Sequence, residues 1–163
     1  MTRIGVISDT HMEFDTAAFP KKILDDFKNV DMIIHAGDLG SLKVLELLKS
    51  ACKNVYAVRG NMDPHTVAGK LPEKEIIKVG RYKIGVTHGI GAPARLLDLV
   101  KEKFKDDPVD VVVFGHSHQP FNEKIGGVLF FNPGSPVDKM FAPYNSYGIL
   151  LLNDNIEGQI IKI

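Results

Sequence analysis

Val109-Asp110-Val111-Val112-Val113-Phe114-Gly115-His116-Ser117-His118 runs an apolar strand directly into two histidines. In an extended chain residues i and i+2 point the same way, so His116 and His118 can face one site, whereas on a helix they would diverge. Two histidines alone have an ordinary explanation as hydrogen-bonded surface or core residues. Metal binding needs further ligands, and these must come from other strand ends.

Several strand ends repeat the pattern. Arg3 to Ile7 reads as a buried strand that closes in Ser8-Asp9-Thr10-His11, and Met32 to Ala36 as another that closes in Gly37-Asp38-Leu39-Gly40. Asn54 to Val58 leads into Arg59-Gly60-Asn61-Met62-Asp63-Pro64. Between them Asp15-Thr16 predicts an N-cap for a helix over Ala17 to Phe27, and Ser41 a cap for Leu42 to Ser50. Such units predict parallel pairing with right-handed crossovers, and ligands in these sheets collect at the C-terminal strand ends.

The second half changes character. Glu73 to Val79 and Tyr82 to Thr87, joined by Gly80-Arg81, read as a hairpin that delivers His88-Gly89 to a strand end. Pro93 opens a helix from Ala94 to about Phe104. Two further hairpins follow, Phe121 to Ile125 with Val128 to Asn132 around Gly126-Gly127, and Ser146 to Asn153 with Ile156 to Ile163 around Asp154-Asn155, so the last third reads as mostly antiparallel. Helix-linked strands early and hairpins late predict two mixed sheets packed together with helices outside.

At 163 residues, with 44% hydrophobic and 25% charged content, the expectation is one compact soluble unit. No apolar run is long enough to span a membrane, and Met1 to Ile7 enters a strand pattern with no signal-peptide core, so the default expectation is the cytoplasm. Lys+Arg and Asp+Glu both count 20, which leaves no basic field for an extended nucleic-acid surface. Cys52 is the only cysteine, which excludes an intrachain disulfide and any thiolate cluster.

The polar residues at glycine-flanked strand ends are Asp9, His11, Asp38, Asn61, His88, His116 and His118, and they include four of the six histidines. Singly, each has a bland account as a cap, a turn former or a surface residue. Together they suit two cations about 3.5–4 Å apart with Asp38 as the natural bridge. Carboxylate, amide and imidazole ligands without thiolate suit manganese, zinc, iron, cobalt or nickel better than calcium or copper(I). Two divalent ions against two aspartates leave positive charge to hold a phosphoryl oxygen and to lower the pKa of a shared water toward roughly 7.

Asp9-x-His11, Gly37-Asp38, Gly60-Asn61, His88-Gly89 and Gly115-His116-Ser117-His118, in this order, resemble the calcineurin-like metallophosphoesterase superfamily. Arg59-Gly60-Asn61-x-Asp63 and Asn132-Pro133-Gly134-Ser135 resemble its small YfcE-type phosphodiesterase branch. The resemblance implies a four-layer α/β/β/α sandwich over residues 1–163, with two divalent metal ions, manganese first and zinc, nickel, cobalt or iron as alternatives. It implies one ion on Asp9, His11, Asp38 and His118, and the other on Asp38, Asn61, His88 and His116, with Asp38, Asn61 and His116 closest to the chemistry. Many relatives carry a histidine directly after the motif asparagine as a candidate general acid; here that position is Met62, and His65 is the nearest stand-in. Arg59, Ser135 and Lys139 join Asn61 as candidate substrate contacts.

The expected activity is hydrolysis of a small phosphodiester or nucleotide-like substrate by a hydroxide shared between the two ions. Phosphomonoester or nucleotide phosphatase activity is the near alternative, and a non-catalytic protein-interaction module, like the retromer subunit that resembles this fold, is the distant one. The late strands or loops also offer a route to a homodimer.

Overall fold

The computed structural model describes residues 1–163. The first half runs β1 (Thr2–Ile7), α1 (Lys21–Phe27), β2 (Met32–His35), α2 (Lys43–Ala51), β3 (Val55–Ala57) and α3 (His65–Ala68). Next come β4 (Lys74–Val79), β5 (Tyr82–Thr87), α4 (Pro93–Lys103) and β6 (Val111–Val113). The chain closes with β7 (Phe121–Ile125), β8 (Val128–Asn132), β9 (Ser146–Leu152) and β10 (Ile156–Lys162). Two five-stranded sheets result, in the orders β10-β9-β1-β2-β3 and β4-β5-β6-β8-β7.

Each central strand buries both faces, which is why the sequence reads as unbroken apolar runs there. Ile4, Val6, Met32 and Ile34 of the first sheet meet Ile84, Val86, Val111, Val113 and Phe131 of the second in one core between the sheets. Ile7 and Ile33 face the other way, against Ile23 and Phe27 of α1 and Val44 and Leu48 of α2. Val112 and Phe130 face outward under Leu96 and Val100 of α4. Helices, sheet, sheet and helix stack as the expected four layers.

Strands β1, β2 and β3 pair in parallel, as do β5, β6 and β8, so the ends that carry the polar motifs lie side by side. Backbone bonds lace these ends together: Asp9 N–H to the Gly37 carbonyl at 3.0 Å, His11 N–H to Asp38 at 3.0 Å, and Gly115 N–H to His88 at 3.0 Å.

Some expected boundaries move. The first helix begins at Lys21, not Ala17, because Pro20 disfavours helical backbone in the residue before it. Asp15 instead accepts the Ala17 N–H in a turn. The second helix starts at Lys43 with Leu42 as its N-cap, and Ser41, expected to cap, lies one position earlier, its hydroxyl accepting the Lys43 N–H at 3.1 Å. The last third is mostly antiparallel, as expected, with β8 alone lying parallel to its neighbour β6. No helix is long and apolar enough to cross a membrane.

Phe131 wedges the sheets at one end. Its fully buried ring lies against two glycines of the neighbouring sheet: a Cβ at Gly148 would fall 2.3 Å from it, and one at Gly158 2.7 Å. Gly148→Ala should therefore destabilise the protein by about 1–3 kcal/mol in urea unfolding. Combined with Phe131→Leu, the losses should add to less than their sum, because the two changes share one space.

Candidate metal centre

Only five non-glycine residues in the chain have positive φ: Asp9 (56°), His11 (45°), Asp38 (56°), His116 (73°) and His118 (57°). All five are expected ligands. Left-handed backbone costs an ordinary residue roughly 1–2 kcal/mol, so these turns persist because their surroundings hold them. Each reverses the chain just past a strand and aims a side chain at the gap between the sheet ends.

Asp9 and Asp38 are buried, and each has one oxygen satisfied and one bare. Asp9 Oδ2 accepts the His116 N–H at 3.1 Å, and Asp38 Oδ1 accepts the Met62 N–H at 2.8 Å. The other oxygens look into a ring of imidazoles. Asp9 Oδ1 lies 3.3 Å from His118 Nε2, 3.7 Å from His88 Nε2 and 3.8 Å from His11 Nε2. Asp38 Oδ2 lies 3.2 Å from His88 Nε2 and 3.6 Å from His11 Nε2.

The tautomers sharpen the picture. His88 Nδ1 donates to the Ala36 carbonyl at 2.7 Å, and His118 Nδ1 donates to Asp138 Oδ2 at 2.8 Å, so each neutral ring turns an Nε2 lone pair toward the bare carboxylate oxygens. Asp9 Oδ1 and His88 Nε2 are buried with no hydrogen-bond partner. Lone pairs facing anions repel unless a positive charge lies between them. Without an ion the charge must be protons: hydrogen bonding to Asp9 pushes His118 up to about 9, and Asp38 and Asp9 raise His88 against the opposing effect of its burial. The donor set fits divalent cations. Ligand atoms of Asp9, His11 and His118, and those of Asp9, Asp38 and His88, lie within 4.8 Å of one another in each group.

Asn61 and His116 complete the cluster from the exposed side. His116 Nε2 donates to the Gly91 carbonyl at 2.8 Å, which leaves Nδ1 facing Asn61 Oδ1 at 3.0 Å, and its ring stands edge-on to His88 at 5.3 Å. All seven expected ligands thus meet in one place. One detail differs: Asp9, expected on a single ion, neighbours both histidine groups.

The remaining candidates lie elsewhere. A cavity of about 420 Å³ opens over His11, Asn61, His116 and His118, with Met62, Pro93 and Phe141 on its walls. Arg59 turns to Glu73 at 3.5 Å and lines a separate 170 Å³ cleft behind Asn61 and His88. Ser135 is buried, donates to the Asp9 carbonyl at 2.8 Å and accepts from Asp138 N–H at 3.1 Å, so its hydroxyl buttresses the Asp9 turn and stays out of the cavity. Lys139 and His65 are exposed and do not line the cavity.

Three supporting residues were not legible as site residues. Asp63 accepts N–H groups from Asp38 (3.1 Å), Gly40 (2.9 Å) and Gly60 (2.8 Å), clamping two ligand loops together; its position two residues after Asn61 was the available signal. Asn132 ties the Gly115 carbonyl, the Ser117 hydroxyl and the Gly134 N–H. Asp138 gave no sequence signal. His35 lies beneath the cluster: its Nδ1 accepts the Gly37 N–H at 3.2 Å, so its proton sits on Nε2 and goes to Thr10 Oγ1 at 3.1 Å.

A family model described as the calcineurin-like phosphoesterase superfamily domain matches residues 2–155. A probable metallophosphoesterase of Methanocaldococcus jannaschii is 41% identical over 162 residues, 98% of this chain and 81% of the relative. A phosphodiesterase of the same organism is 29% identical over 143 residues, 81% of this chain and 82% of its own. Among solved structures, Vps29 from Entamoeba histolytica complexed with zinc superposes with a TM-score of 0.74 at 26% identity over 99% of both chains.

Asp63→Ala strands three N–H groups and should cost about 3 kcal/mol in urea unfolding, with Asp63→Asn losing less. A second expectation concerns acid. Burial holds His35 at about 3, so the folded chain refuses a proton that the unfolded chain takes up near 6.5; this contribution to stability is complete above that pH and is lost as pH falls toward about 3. His88 and His118, being raised, are charged in both states below 6.5 and add no slope there. Metal-free protein should therefore lose up to about 1.4 kcal/mol per pH unit from this group as pH drops below His35's unfolded value. His35→Asn, which keeps an acceptor for the Gly37 N–H, should flatten that limb.

Proposed function

The chain belongs to the calcineurin-like phosphoesterase superfamily, and on that premise we propose that it is a divalent-metal-dependent phosphodiesterase with a dinuclear centre. One observation supports the diester reading above the rest: the cavity over the ligand cluster has no lysine or arginine on its walls. A monoester brings one more phosphoryl charge than a diester and needs a cationic side chain to meet it, whereas a diester brings a second ester arm that apolar walls can receive. Met62, Pro93 and Phe141 supply such walls.

Asp9, His11, Asp38 and His118 would hold one ion, and Asp38, Asn61, His88 and His116 the other, with Asp38 shared between them. Ions so held supply a nucleophilic water of lowered pKa and positive charge for the phosphoryl oxygens. The chain's own contribution is orientation. The Ala36 carbonyl, the Gly91 carbonyl and the Asp138 carboxylate each take one imidazole N–H, which fixes the ring and presents the opposite nitrogen to the centre. The Asn61 amide lines the cavity, where it can meet a phosphoryl oxygen.

Neither Met62 nor His65 supplies a proton donor on the cavity wall. Met62, 65% exposed, takes the position after Asn61 on the cavity wall, and His65 is not on that wall. A general acid contributes typically 10²–10⁴-fold, so aryl diesters, whose leaving groups need no proton, should be cleaved faster than alkyl diesters by a factor of that order. Equal rates with chemistry rate-limiting would contradict this.

Metal analysis alongside hydrolysis of bis(p-nitrophenyl) phosphate tests the whole reading. With manganese added, the chain should cleave this diester faster than p-nitrophenyl phosphate, and Asp38→Asn should lose at least about 100-fold in rate along with metal affinity. An Asp38→Asn variant that kept both would remove Asp38 from the centre, and a parent chain that bound no metal and cleaved neither ester would favour the interaction-module reading that the likeness to Vps29 suggests. Faster cleavage of the monoester would favour the phosphatase reading.

A further inference from the structure

Asp138 lies in the loop between β8 and β9, outside every motif singled out in the sequence, yet its carboxylate is the most heavily used in the molecule. Oδ2 accepts His118 Nδ1–H at 2.8 Å, the Phe141 N–H at 2.9 Å and the Ala142 N–H at 2.7 Å, while Oδ1 accepts the Met140 N–H at 3.0 Å. The Asp138 N–H in turn donates to Ser135 Oγ, which donates to the Asp9 carbonyl, and Asp9 Oδ1 returns to His118 Nε2 at 3.3 Å. A closed ring of contacts therefore runs Asp9, Ser135, Asp138, His118. Every link is a hydrogen bond between groups of fixed donor and acceptor except the last, where His118 Nε2 faces the otherwise bare Asp9 Oδ1.

The same carboxylate fixes Phe141. That residue is 67% exposed, packs edge-on against the His118 ring at 6.1 Å and forms part of the cavity wall. Its apolar ring gains little from burial, so what holds it over the cavity is the backbone of residues 140–142 drawn onto Asp138. One carboxylate oxygen thus supports both a ring facing the metal centre and a ring facing the cavity.

We propose that Asp138 is a positioning residue with two outputs: it sets the His118 ring for metal, and through the same oxygen it holds Phe141 as the wall that receives an aromatic ester arm of the substrate. This rests on His118 being a metal ligand, as read above. Removing a carboxylate behind a ligating histidine typically weakens metal binding about 10–100-fold. Removing the acceptor for the 140–142 amides frees the aromatic wall.

The test uses the full chain and four variants: Asp138→Ala, Asp138→Asn, Phe141→Ala and His118→Ala. Three readouts are taken: manganese affinity of the stripped protein by calorimetry, amide hydrogen exchange at residues 140–142, and kcat and KM with thymidine 5′-monophosphate p-nitrophenyl ester. Asp138→Ala should weaken manganese binding about 10–100-fold, speed exchange at all three amides and raise KM. Asp138→Asn, which keeps an oxygen acceptor but loses the charge, should fall between it and the parent in all three. Phe141→Ala should raise KM with manganese affinity unchanged. If Asp138→Ala does not fold, Asp138→Asn decides by the same readouts. Parental manganese affinity in a folded Asp138 variant, with His118→Ala weakened, overturns the inference. Parental affinity in His118→Ala overturns the ligand assignment beneath it, and an unchanged KM in Phe141→Ala removes the aromatic wall.

Discussion

Two buried carboxylates set against imidazole lone pairs are the constraint around which this molecule is arranged. Burying a carboxylate costs several kcal/mol even after relaxation, and here Asp9 and Asp38 are buried side by side, each with only one oxygen relieved by a backbone N–H. The relieving donors come from other loops, His116 for Asp9 and Met62 for Asp38, so each carboxylate needs two strand ends, and the pair needs four, to come together. The two-sheet sandwich brings them together, and positive charge between the bare oxygens and the rings removes the remaining repulsion.

That constraint also explains where the backbone is unusual. A Cβ at Gly60 would fall 2.0 Å from Asp38 Oδ1, and one at Gly115 2.7 Å from Asp9 Oδ2. Each glycine lies where a buried carboxylate leans on the backbone of a neighbouring loop, and any side chain there would push the ligand out of place. The five left-handed ligands are the other half of the same arrangement. Strain gathers where the backbone must turn at once to aim a donor, and the rigid strands behind each turn hold it.

The sequence was most readable where local and global requirements agree. The hairpin around Gly80-Arg81 and that around Gly126-Gly127 have the expected strand limits to within a residue, since turn chemistry and alternation mark the same positions. The seven polar strand ends were legible because each follows an apolar run and a tight turn. Readability failed where long-range partners decide. The start of α1 depends on Pro20, which the apolar spacing of the segment masks. Asp138 and Asp63 look like ordinary loop acids, and only the folded chain shows that they gather donors from other segments. Ser135 belongs by its motif to the candidate substrate contacts, yet its hydroxyl is engaged beneath Asp9.

Charge then bears on which substrates the proposed centre admits. On that reading, two divalent ions on two aspartates would leave a surplus of two positive charges at the ligand cluster beneath the cavity. Above the floor, the chain's basic side chains do not reach the walls: Arg59 is turned to Glu73 in a separate cleft, and Lys139 projects outside. A phosphoryl group seated on the floor can satisfy two oxygens there, and whatever projects upward meets Met62 and Phe141. An ester arm gains contact with such surfaces, while a third anionic oxygen would be stripped of water beside a thioether and an aromatic ring with no cation to replace it. The selectivity of this site would thus come less from anything that grips a diester than from the absence of anything that would stabilise a monoester.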